Sequence, residues 1–194
     1  METLSISYTV QKNGKRKIED FIPEYLDGDK NETAFDFVAH MRENKMSFGW
    51  AGFTNAWKAN CKGRCICYIN IGVDEWLVTP YLEHIKEYED QIINEGLQNF
   101  VLDNVIYCAH AYKYKRSEGS PQIKHVGLNY PCNIWGCAPG KDITVCSKEL
   151  TNICRNGNRQ HFWFHDPDEA TLDAIKKLLE FEKAARSVKN NEFI

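Results

Sequence analysis

A chain of 194 residues with 43% hydrophobic and 12% aromatic content suits one mid-sized domain, or two small halves packed closely around a shared core. A net charge of -3 and a pI near 6.1 leave no electrostatic footprint for nucleic acid. The local cluster Lys12, Lys15, Arg16 and Lys17 reads instead as the solvated flank of a turn at Asn13-Gly14. No run of about 18 apolar residues argues for a membrane span, and Met1 to Tyr8 lacks the charged start and apolar core of a signal peptide, so a soluble cytoplasmic protein is expected. In that compartment the eight cysteines are reduced thiols, some buried and some available to a metal.

In chain order, Leu4, Ile6, Tyr8 and Val10 alternate with polar residues as a half-buried strand, for which Ile18 to Tyr25 can supply the partner. Asp27 to Asn31 is loop-like, and Phe35, Val38 and Met41 predict a helix from about 32 to 45. From Met46 to Gly72 the period becomes that of strands, turning at Asn60 to Gly63, with Cys65, Cys67, Ile69 and Ile71 on one face and Ile66 and Tyr68 on the other. Leu82, Ile85, Tyr88 and Ile92 form a helical stripe broken near Gly96. Residues 104 to 114 read as extended, and 115 to 131 as an exposed loop. A second hairpin lies between Ile143 and Cys154. His161 to Phe164 is a strand, and Leu172, Ile175 and Leu179 mark a final helix from Asp168 to about Ser187.

One unit occurs twice. Trp76-Leu-Val-Thr-Pro80 and Trp163-Phe-His-Asp-Pro167 share the Trp-to-Pro spacing, and each precedes a helical stripe. Thr79 and Asp166 are placed to cap helices that Pro80 and Pro167 would begin. Ile85, Tyr88 and Ile92 match Leu172, Ile175 and Leu179 at an offset of 87, as Cys67 matches Cys154. The expectation is an α+β fold: one domain over residues 1–194, an antiparallel sheet from two related strand-strand-helix halves at about 46–103 and 132–187, and helices on one face.

The Gly49-Trp50 start of a strand, the paired hairpins and the repeated Pro-headed helices resemble the GyrI-like fold of bacterial proteins, a duplicated α+β module, over about residues 32–187. The second half has no counterpart of the 32–45 helix. The resemblance implies binding of apolar small molecules in a groove between the halves, or of a protein partner, without catalysis in many members.

Three candidate sites emerge from the residues. Trp50, Phe53, Trp57, Tyr68, Trp76 and Trp163 all fall on predicted strands and could wall an aromatic cleft, with Glu75 and Arg64 as the nearest charges to orient a polar group. Buried aromatics on strands also serve simply as core. Cys108, His110, Cys132 and Cys137 could together ligate zinc, while Cys61, Cys65 and Cys67 are divided by a turn. His161, His165 and Asp166 could act in proton transfer, although Asp166 doubles as the expected cap. The preferred function is non-enzymatic binding of an apolar or aromatic small molecule between the halves. The alternatives are a metal-dependent or thiol-based enzyme and a protein-interaction module.

Overall fold

The computed structural model describes residues 16–52, 55–105, 141–153 and 162–189. Two helices come first, α1 (Ile18–Tyr25) and α2 (Gly28–Glu43), then four strands, β1 (Ser47–Trp50), β2 (Ala56–Cys61), β3 (Arg64–Gly72) and β4 (Glu75–Pro80). A 3₁₀ turn (Ile85–Tyr88) leads to α3 (Glu89–Asn94) and α4 (Gln98–Asp103). A hairpin of β5 (Lys141–Val145) and β6 (Lys148–Ile153), the two-residue β7 (Phe164–His165) and α5 (Glu169–Lys189) complete the chain. The main sheet is antiparallel in the order β1-β2-β3-β4-β7, with β5-β6 as a separate two-stranded sheet. The α+β class follows. No helix among the described residues is long and apolar enough to cross a membrane.

The stretch from Ile18 to Tyr25 is a helix and not a strand. Its buried residues Ile18, Phe21, Ile22 and Tyr25 are spaced three, one and three apart, which places them on one helical face. A strand would have divided them between two faces. The Lys17 N–H donates to Asp20 Oδ2 at 2.9 Å and closes the first turn. Residues 4–10 and the Asn13-Gly14 turn lie outside the described residues. The second helix starts at Gly28, four residues before its expected beginning; Gly28 itself holds φ at +52°, which glycine adopts without strain.

The β2–β3 hairpin closes through Lys62 and Gly63, both at positive φ (50° and 77°), the conformation whose twist matches antiparallel strands. Cys146 and Ser147, at 49° and 59°, do the same between β5 and β6. Along β3 the expected two-sided burial holds: Cys67, Ile69 and Ile71 are buried, and so are Ile66 and Tyr68. A register shift at Ala59/Asn60 places Cys65 opposite Asn60 and Cys67 opposite Ala59.

The two Trp-to-Pro units do different structural work. Thr79 and Pro80 do not start a helix; they continue β4, opposite Tyr68 and Cys67. Tyr81 N–H donates to Ile66 O at 2.8 Å, so the alternate residue Pro80 directs its nitrogen away from β3. Strand β7 reaches only Leu77 and Val78, so the missing N–H of Pro80 costs no ladder bond. In the second unit Asp166 is not the cap of α5. Its N–H donates to Trp76 O and its Oδ1 accepts from Trp76 N–H, both at 2.9 Å, while Oδ2 lies 3.2 Å from Lys30 Nζ. Asp166 holds φ at +41°, a left-handed conformation that Asp tolerates better than most residues. This tether joins β7, β4 and the start of α2.

The cap is Asp168, whose Oδ1 accepts from Thr171 N–H at 2.8 Å. Hydrogen bonds from the Thr171 side chain and backbone hold the Asp168 carboxyl below its ordinary range. A depressed folded-state value means that its contribution is complete above the unfolded value and disappears as pH falls through the folded one. We expect the first turn of α5 to lose hydrogen-exchange protection below about pH 4, near the ordinary Asp value. In Asp168→Asn the protection should become independent of pH over that window, and an unchanged profile would contradict the cap.

Candidate functional site

The sheet register decides which aromatic side chains can meet. Trp50 pairs with Trp57, Trp57 with Ile69, Ile69 with Val78 and Val78 with Phe164, giving one apolar row across all five strands. Trp76 pairs with Ile71 two residues further along the same face. Helices α1 and α2 close over this face: Phe21 meets Trp57 edge-on at 4.5 Å between ring centroids, and Phe37 meets Trp76 edge-on at 6.2 Å. At the other end of the row Phe100 stacks on Phe164 at 5.2 Å.

Of the five described aromatics expected to line a cleft, Trp50, Trp57 and Trp76 share the helix-covered face. Tyr68 alternates to the opposite face, where it lies 5.3 Å from Tyr81 and beneath Lys58 Nζ at 5.6 Å. Trp163, next to Phe164 in the chain, alternates away from it as well, near the far edge of the sheet from Trp50. The set therefore divides into a group of three and two others. Trp57 and Trp76 are sealed, at 1% and 2% exposure, whereas Trp50 is half-buried on the edge strand. Neither Trp57 Nε1 nor Trp76 Nε1 has a hydrogen-bond acceptor. Arg64 and Glu75 are exposed at the ends of β3 and β4, and Phe53 lies outside the described residues.

The four residues expected to hold zinc, Cys108, His110, Cys132 and Cys137, also lie outside the described residues, as do His161 and Cys154. The Cys65 and Cys67 thiols are described, and burial first of all raises both. Cys65 is pushed up to about 11, and Cys67 well above the ordinary thiol range. At neutral pH both are protonated, which disfavours them as nucleophiles or metal ligands. His165 is exposed, and Asp166 is committed to Trp76 and Lys30.

A second cluster was not anticipated. Glu182 on α5 is fully buried. Its Oε1 accepts from Arg186 Nε at 2.7 Å, and its Oε2 accepts from Tyr88 OH at 2.9 Å and His84 N–H at 3.0 Å. Arg186 also donates to Cys65 O at 2.8 Å and Tyr81 O at 3.3 Å, with Glu83 Oε2 3.8 Å away. Burial, and then the neighbouring carboxylate of Glu182, raises the Tyr88 phenol far above its ordinary value, so it stays a donor. Glu83, His84 and Glu182 bring three potential metal-ligating atoms within 4.8 Å of one another. The guanidinium of Arg186 already supplies a cation there, and the buried carboxylate accepts three hydrogen bonds from the chain itself. The cluster acts as a clamp between α5, the 3₁₀ turn, the end of β4 and β3.

The sequence carried a signal for it. Leu172, Ile175, Leu179, Glu182 and Arg186 are separated by three, four, three and four residues, so the charged pair continues the apolar stripe of α5. Charges on a core stripe require mutual pairing.

Comparison of the chain with family profiles, with curated proteins and with solved structures returns no match.

Proposed function

We propose that this chain is a non-enzymatic binding domain that takes an apolar or aromatic small molecule against the helix-covered face of its sheet, at the β1 edge. The observation that carries the reading is the pairing of half-buried Trp50 with sealed Trp57, which starts an aromatic and aliphatic row at the margin of the sheet and leads inward. Apolar walls with few polar groups are the usual lining of small-molecule sites. Phe48 lies two residues from Trp50 on the same edge strand, with the Arg42 guanidinium 5.0 Å from its ring centroid, so a cation borders the apolar margin. The site asks nothing of residues 132–187.

Ligand-observed NMR with naphthalene as the probe tests the reading. The expected result is saturable binding that Trp50→Ala weakens while the circular dichroism spectrum is unchanged. No saturable binding, or binding indifferent to Trp50→Ala, would sink the proposal.

A further inference from the structure

Two sealed indoles without acceptors lie on the face where the ligand is proposed to bind. The Trp57 and Trp76 side chains belong to residues 1% and 2% exposed, yet neither Nε1 donates a hydrogen bond. Buried polar groups are nearly always paired, and an unpaired one calls for an explanation, a bound group among them. By contrast, Tyr88 OH has Glu182, and the Arg186 guanidinium has a carboxylate and two carbonyls. The surroundings of the two indoles are different. Trp57 packs against Phe21 and pairs with Ile69 and Trp50, while Trp76 packs against Phe37 and pairs with Ile71, so these neighbours bring no side-chain acceptor.

Resting on the binding reading above, we infer that the ligand class is an aromatic molecule bearing a hydrogen-bond acceptor and no donor, such as an aza-aromatic or an aryl carbonyl compound. Its acceptor is directed at the indole N–H of Trp57, since Trp76 lies on β4, three strands in from the β1 edge. An apolar body satisfies the aromatic row, and a lone acceptor satisfies a donor that the fold leaves open. A ligand that carries a donor would bring a second polar hydrogen into a largely apolar face. Charged ligands are disfavoured for the same reason: the guanidinium groups of Arg16, over Phe21, and Arg42, over Phe48, border the face and do not enter it. Trp57 is the nearer of the two to the sheet edge, being the direct partner of Trp50.

Quinoline and naphthalene form a test pair of nearly equal shape that differ by one ring nitrogen, an acceptor that is uncharged at pH 7.5. Both are titrated into the ¹⁵N-labelled full chain while the indole N–H resonances are followed, with Trp57→Phe and Trp76→Phe used for assignment. Quinoline is expected to bind about fivefold more tightly than naphthalene, the value of roughly one net hydrogen bond. It should also move the Trp57 indole proton downfield, while naphthalene does not. If either Phe variant fails to fold, nuclear Overhauser contacts to the Phe21 and Phe37 rings assign the same resonances in the unsubstituted protein. Equal affinities with no downfield shift at Trp57 would overturn the acceptor inference and leave the apolar-binding reading standing. Failure of both probes to bind would overturn both.

Discussion

Arg186→Ala is expected to lower the unfolding free energy by about 3–5 kcal/mol, the typical cost of removing one partner from a buried ion pair. Glu182 would keep two donors, Tyr88 OH and His84 N–H, but would lose the Arg186 guanidinium 2.7 Å from its carboxylate. The carbonyls of Cys65 and Tyr81 would lose a donor in the same step. A contrast separates the broken pair from lost packing. The combined variant Glu182→Leu, Arg186→Met, Tyr88→Phe removes the buried charges together with the phenol that depends on them, and should be markedly more stable than Arg186→Ala alone. Urea titration followed by circular dichroism reads both. A single-variant loss under about 1 kcal/mol would mean that the pair behaves like an exposed one.

Trp76→Ala is the second large effect, expected at about 3–5 kcal/mol from lost burial and the cavity left beneath α2. Trp76 lies at a junction: its ring meets Phe37 of α2, its neighbour across the ladder is Ile71, and its backbone is tied in both directions to Asp166. Trp76→Phe should cost less than half as much. It keeps an aromatic ring against Phe37 while deleting an N–H that is buried without an acceptor, and release of that unpaired donor offsets part of the lost area. If the Phe variant were as damaging as the Ala variant, the indole nitrogen would have to be satisfied in solution, contrary to the geometry described.

Strands β1 to β4 and the stripe of α5 were legible in the sequence because a half-buried element leaves its period in the order of apolar residues. Ile69 and Ile71 alternate, and Leu172, Ile175 and Leu179 follow the helical repeat. The stretch from Ile18 to Tyr25 reads as a strand only as the partner of the strand expected at residues 4–10; its own spacing is helical. Thr79-Pro80 has the local chemistry of a helix start, but a strand neighbour on β3 offers Tyr81 a ladder bond and keeps the chain extended. Tertiary pairing of this kind overrides a local cap signal. Asp166 and Asp168 lie two residues apart with the same side chain, and only the position of Trp76 explains why the first becomes a tether and the second a cap.

The candidate site was legible in part. The count of indoles near β2 to β4 pointed to an aromatic concentration, but the division of Tyr68 and Trp163 from Trp50, Trp57 and Trp76 follows from face parity and strand order. Parity can be read along one strand. Strand order, which puts β7 beside β4 and leaves β1 at the edge, depends on contacts between distant parts of the chain. The Glu182–Arg186 clamp is the reverse case: its spacing was present in the sequence, and its meaning depends on the 3₁₀ turn that brings Tyr88 and His84 to the carboxylate.

The most direct test of the central claim is an isotope-filtered nuclear Overhauser experiment on the full chain saturated with naphthalene. Cross-peaks from the probe to the Trp50 and Trp57 rings, and to the Ile69 side chain behind them, are the predicted result. Cross-peaks confined to side chains off this face, such as Tyr68 or Trp163, would place binding elsewhere and contradict it.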